Sequence, residues 1–277
     1  MALDGQGNLY LTEMDDDLIY KYSTSGQQLI KWGGTGSGPG QLTHPEKLAF
    51  DKQGNLYVTE VGSNSTSGSQ GGNNRIQKFS PTATPLGMWG RLGSAPGQFN
   101  TPVGLAVDNL GDLYVADVAN HRIQKLSSLG QPLAQWHTVG SGTGENNTEI
   151  GYDLGLDASG NVYLSEPHPF GPGSDRIEKF SPEGKRLARW GGSGSGDGHF
   201  DQPFGLTLDG KGNVFVVDTG NNRIEELSPS GKYVAQWRGP DSGFIATSEL
   251  AVDAQGTIYV SVGNKVIRLV VNSISAG

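Results

Sequence analysis

Four acidic side chains crowd near the start of this chain: Glu13, Asp15, Asp16 and Asp17, within the run Glu13-Met14-Asp15-Asp16-Asp17. No cation stands beside them in sequence, so they repel one another unless solvated, paired elsewhere or gathered around a metal. Hard carboxylate oxygens of this kind suit Ca2+. The spacing is not that of an EF-hand, so a solvated acidic loop competes with the calcium site. A second set is dispersed. Lys47, Asp153 and Glu249 stand at equivalent points of a repeated pattern, next to Glu46, Tyr152 and Ser248. If they converge, Asp153 or Glu249 could act as general base and Lys47 as electrophilic stabiliser or pKa tuner. Tyr152 or His168 would then be the proton donor. The competing reading is that these charges simply pair with one another.

Other chemistry is poorly represented. Cys is absent, which removes disulfides, thiolate metal sites and thiol nucleophiles. Five histidines are present. His44 and His199 recur in one repeated segment and His121 in another, which marks them as scaffold; His137 and His168 fall in variable stretches. A zinc centre needs about three convergent ligands, which this set does not supply. No Gly-x-Ser-x-Gly elbow or Walker loop occurs. The glycine-rich runs at 33–38 and 191–196 lack the Lys and helix that a phosphate loop requires. A formal charge of −8 without any basic run argues against nucleic-acid binding. No stretch approaches the roughly 18 apolar residues of a membrane span, so direct membrane insertion is not expected.

The elements that must position these residues come from one unit of about fifty residues, present six times. Each copy begins with two large apolar residues around a small one, as in Leu48-Ala49-Phe50 and Leu105-Ala106-Val107. Period-two alternation puts the large pair on one face and the small residue on the other. An Asp-x-x-Gly turn at Asp4, Asp51, Asp108, Asp157, Asp209 and Asp253 leads to a second strand such as Leu113-Tyr114-Val115. The third strand reads Arg-Ile-Gln-Lys-Leu or similar, and the fourth ends at Trp32, Trp89, Trp136, Trp190 or Trp237. One tryptophan per unit points to packing between units rather than to carbohydrate stacking. Acids closing the second strand (Glu60, Asp117, Glu166 and Asp218) face the arginines that open the third, so cross-strand ion pairs are predicted. Leu18 replaces the arginine opposite Glu13.

Six such units predict an all-β, six-bladed β-propeller of four-stranded antiparallel blades, forming one domain over residues 1–277. The segments Asn120-His121-Arg122-Ile123, Asn74-Arg75-Ile76 and Asn222-Arg223-Ile224, with Gly97-Gln98-Phe99 and Pro102-Val103-Gly104, resemble the NHL-repeat family. That resemblance implies a six-bladed propeller whose relatives include ligand- and protein-binding sensors, RNA-binding domains and a minority of lyases and hydrolases. Only five Trp-ended fourth strands are present, so the closing blade is expected to lack its outer strand or to borrow residues 271–276. Met1 falls inside a first strand, which suggests a domain excised or truncated at its N-terminus.

Turns after first and third strands are short and uniform, and define one rim. The second rim carries insertions at 61–74 and 167–175 and an atypical crossover at 137–151. Variable loops on a rigid scaffold are where binding usually resides. The expectation is a non-catalytic binding or sensor propeller, extracytoplasmic or secreted and bacterial in style. It would recognise a protein, glycan or small ligand on that rim, with Glu46, Lys47, Tyr152, Asp153, His168, Ser248 and Glu249 at the channel mouth. No cofactor beyond Ca2+ is expected. The alternative is a propeller hydrolase or lyase using the channel-mouth carboxylates and Lys47.

Overall fold

The computed structural model describes residues 1–62, 72–137, 152–167, 175–245, 248–263 and 265–269. Within them six antiparallel sheets follow one another as blades of a propeller, each a simple meander of consecutive strands. Blade 3 shows the plan, with strands Pro102–Val107, Leu113–Asp117, Arg122–Leu126 and Pro132–His137. Blades 1 to 5 have four strands, and three are described in blade 6: Leu250–Val252, Ile258–Val262 and Lys265–Leu269. The expected substitute outer strand at 271–276 lies outside the described residues.

The alternation within each strand divides the core into slabs between blades. In blade 2, Leu48, Leu56, Val58 and Phe79 pack on Tyr10 and Ile19 of blade 1, while Tyr57 and Ile76 face Leu105, Leu113 and Val115 of blade 3. Both faces of the middle strands of blades 2 to 5 are therefore covered, which is why the second strands there are buried along their full length. Five such slabs join blade 1 to 2 and so on to blade 6. Among the described residues no comparable apolar slab joins blade 6 to blade 1. The third strand of blade 6 is only half-buried at best.

The tryptophans do pack between blades. Trp89 stacks on Tyr57, with ring centroids 6.2 Å apart, and lies against Gly130 in the third-to-fourth-strand turn of blade 3. Trp136 meets Gly184 and Trp190 meets Gly231 in the same way. A Cβ on Gly130 would sit 1.9 Å from the indole, and its φ is +74°, so only glycine serves there.

The predicted acid–arginine pairs form in register, at Glu60–Arg75, Asp117–Arg122, Glu166–Arg176 and Asp218–Arg223. They are buried rather than exposed, and each acid is at most 2% accessible. Arg122 shows the reason: Nε donates to Asp117 at 2.8 Å, and both Nη groups donate to the carbonyls of Ser94, Ala95 and Gln98. The guanidinium thus rivets its own hairpin to the crossover arriving from the preceding blade. Removing one partner of such a buried pair typically costs about 3–5 kcal/mol.

Candidate functional site

Three blades bring the dispersed charges together. Lys47 Nζ lies 2.5 Å from Asp153 Oδ2 and 3.4 Å from Glu249 Oε1, and the Met1 ammonium pairs with Glu249 Oε2. The backbone chooses where such charge can stand. In blades 2, 4 and 6 a hydroxyl of the second strand accepts the backbone N–H of the charged residue: Thr59 for Lys47, Ser165 for Asp153 and Ser261 for Glu249. Thr59 and Ser165 in turn donate to the carbonyls of Val103 and Phe204 in the next blade. Blades 3 and 5 have Ala116 and Val217 at the hydroxyl position, with Gly104 and Gly205 opposite. A Cβ on Gly205 would come within 2.7 Å of the Ser248 carbonyl and 3.1 Å of Val217. Glycine in these blades lets the charged neighbours close in. This coupling between a second-strand hydroxyl and a charged first strand was legible in the sequence but is noticed only once the two strands are seen paired.

The cluster is a plug more than a mouth. Lys47 and Asp153 are almost fully buried, and the space bounded by Glu46, Val103, Tyr152, Asp153, Phe204, Gly205, Ser248 and Glu249 is only about 10 Å3. That is scarcely room for one water. Asp153 also accepts the N–H groups of Leu154 and Leu206, at 2.8 and 2.9 Å. Tyr152 packs edge-on to Phe204, and burial together with the nearby Glu46, Glu249 and Asp153 raises its hydroxyl pKa. Burial works to lower the Lys47 pKa, but Asp153 and Glu249 outweigh it and hold the ammonium charged. Asp153 is pushed up by burial against the pull of Lys47. Burial also pushes Glu249 up, yet Lys47 and the Met1 ammonium more than offset it and leave it below the ordinary carboxylate range. On Glu46 the pull of Lys47 and the Met1 ammonium is outweighed. Burial, and then repulsion from Glu249, carry it to about 7.

Glu46 links the plug to an open cleft. A cavity of about 330 Å3 lies on the variable rim where blades 1, 2 and 6 meet. Glu13, Asp15, Glu46 and Glu249 line it, with His44 and Ser261. His44 is the residue the repeat hid. It occupies a scaffold position with φ +46°, yet its side chain lines the cleft and its buried Nδ1 has no hydrogen-bond partner. The only available signal was that blade 2 has His where blade 3 has Thr101 and blade 5 has Gln202.

The acidic run is divided by the fold. Glu13 and Asp15 face the cleft, whereas Asp17 is buried and its Oδ1 accepts the His44 backbone N–H at 2.7 Å. That is the post held by Asn74, Asp175 and Asn222 toward their following blades. Among the described residues no three acidic or histidine side chains converge as metal ligands. His168 lies outside the described residues. On the opposite rim a larger hollow of about 740 Å3 is lined by the turns of blades 3, 4 and 5. Its aspartates are engaged in those turns: Asp108, for instance, accepts the N–H groups of Leu110 and Asp112 and pairs with Lys125. No helix is long and apolar enough to cross a membrane among the described residues.

Comparison with known proteins supports the fold reading. The family model for the NHL repeat matches residues 99–126. A search of curated proteins by sequence finds no match. Among solved structures the chain is similar to a streptogramin B lyase, at 16% identity and TM-score 0.66, over 97% of this chain and 78% of that one. It is also similar to a virginiamycin B lyase from Staphylococcus aureus, at 14% identity and TM-score 0.63, over 98% and 80%. A gluconolactonase from Xanthomonas campestris matches at 16% identity and TM-score 0.65, over 96% and 82%. At these identities the likeness is one of fold.

Proposed function

We propose that this six-bladed NHL-repeat propeller is a non-catalytic binding module, and that the acidic cleft on its variable rim takes a cationic group of a small molecule or peptide. The carrying observation is the lining of that cleft: Glu13, Asp15 and Glu46 border one cavity of about 330 Å3, within the size range of ligand sites. Glu249, already paired with Lys47 and the Met1 ammonium, stands at its edge. The side chains best suited to chemistry are instead consumed. Lys47 and Asp153 hold each other at 2.5 Å in a space that admits no substrate. A bound cation also draws Glu46 into its charged form, so affinity should rise as pH passes upward through about 7.

The test is a calorimetric titration with Nα-acetyl-lysine amide against its norleucine analogue. The lysine probe should bind at pH 8, more weakly at pH 6, and at least tenfold more weakly to the Glu13→Gln, Asp15→Asn double variant. Equal binding of the two probes removes the reading.

A second reading rests on Glu46 and His44. A carboxyl titrating near 7 beside an unpartnered imidazole nitrogen could serve as an acid–base pair in a hydrolase or lyase. Turnover of simple lactones or esters, lost in both Glu46→Gln and His44→Ala, would favour it over the binding module.

A further inference from the structure

Blade 5 departs from the others at the outer end of its fourth strand. The residue in register with the third-strand arginine is His137 in blade 3 and Gly191 in blade 4, and in blade 1 Gly33 pairs with Leu18. In blade 5 it is Arg238, paired with Arg223. The glycine role passes one residue on, to Gly239, whose absent side chain makes room for Phe244. Phe244 then enters the slab between blades 5 and 6. The shift frees position 238 for a long side chain.

Two arginines opposite each other on one hairpin are unfavourable without a counter-charge. Arg223 has one: Nε is 2.7 Å from Asp218 and Nη2 is 3.3 Å from Glu225. Its remaining N–H groups go to the carbonyls of Ser195, Gly196 and His199 and to Gln236 Oε1. It has nothing left to offer a ligand. Arg238 is exposed, and among the described residues no carboxylate lies within ion-pair distance of it. Both arginines border a recess of about 610 Å3 with Ser195, Asn221, Asn222 and Gln236. Gln236 is held by its oxygen, which leaves its NH2 free to donate. An exposed guanidinium fork and an amide NH2 on the same strand, two residues apart, offer donors to an anion in a protein of net charge −8.

We infer that this recess binds a carboxylate, held in two-pronged fashion by Arg238 with Gln236 Nε2 as a third donor. Arg223 and Arg238 against Asp218 and Glu225 make this end of the hairpin neutral overall, which suits a monoanion on the exposed Arg238 fork better than a more highly charged ligand. A phosphate dianion would leave excess negative charge on an acidic protein, so carboxylate is preferred. The site is separate from the acidic cleft and does not depend on its role.

The experiment is an NMR titration of the whole protein with acetate, and in parallel with inorganic phosphate, at ionic strength held constant with chloride. Acetate should cause saturable shifts of the Gln236 side-chain amide and the Arg238 Nε–H at millimolar concentration. Arg238→Ala should weaken binding at least tenfold. Arg238→Lys, which keeps the charge and loses the fork, should lie between. Glu46→Gln should bind acetate as the parent does, which separates this site from the cleft. Absence of saturable shifts, equal binding by Arg238→Ala, or tighter binding of phosphate than of acetate would each overturn the assignment.

Discussion

Replacing Glu46 by Gln should make this protein more stable at pH 8. The side chain is buried, and burial followed by the charge of Glu249 raises its pKa from 4.5 to about 7. A raised carboxyl pKa means that the fold favours the neutral form. The ionised form is strained in the native state above about pH 7, and that penalty fades as pH falls from 7 toward 4.5. Below 4.5 the group is neutral in both folded and unfolded chains, and its titration contributes nothing. Raising the pKa from 4.5 to about 7 corresponds to roughly 3.4 kcal/mol at most, since each tenfold change in the proton equilibrium is about 1.4 kcal/mol. Glutamine is nearly the same shape and carries no charge, so it should recover most of that amount. Urea unfolding of both proteins, followed by tryptophan fluorescence at half-unit steps from pH 4 to 8.5, reads the difference directly. The gain should approach 2–3 kcal/mol at pH 8 and close to nothing by pH 4.5. A gain independent of pH, or a loss at pH 8, would refute the claim that Glu46 is strained by its own charge.

Two further substitutions probe the scaffold around that residue. Lys47→Met leaves Asp153 and Glu249 buried without their shared cation and should cost about 3–5 kcal/mol in the same unfolding assay at pH 7.5. The deficit should narrow as acid protonates the two carboxyls. Gly130→Ala forces a Cβ onto Trp89 at a left-handed backbone position and should cost roughly 2–4 kcal/mol. The change should also alter the emission of that tryptophan, whereas Gly26→Ala, at a similar φ but in open space, should cost only the backbone strain.

The plug and the cleft show why reading this chain yields the parts more readily than their use. Lys47, Asp153 and Glu249 were identifiable because each replaces the small residue of its repeat position, and the propeller does bring them together. Repeat alignment finds departures from a pattern, so it could not flag His44, which sits where the pattern allows variation. It could not divide Asp17 from Glu13 and Asp15 either, because the three differ only in which way one loop turns. The same limit applied to the acid–arginine pairs. Their register followed from the hairpin, but their burial depends on crossover carbonyls some 24 to 28 residues away in sequence.

Some properties of this protein follow from local chemistry repeated along the chain. Strand alternation, Asp-x-x-Gly turns and one tryptophan per unit specify the blades, their number and the slabs between them, because each rests on contacts within a unit or with its immediate neighbour. Only closure of the ring decided the rest. It put residues of blades 2, 4 and 6, separated by 106 positions in one pair, within ion-pair distance. It left only about 10 Å3 among the charged first-strand residues, with open space on the rim beside them. Those outcomes depend on distances across the ring. No segment of the sequence contains them, since a charge becomes a plug, a ligand or a strained acid according to what the opposite blade presents to it.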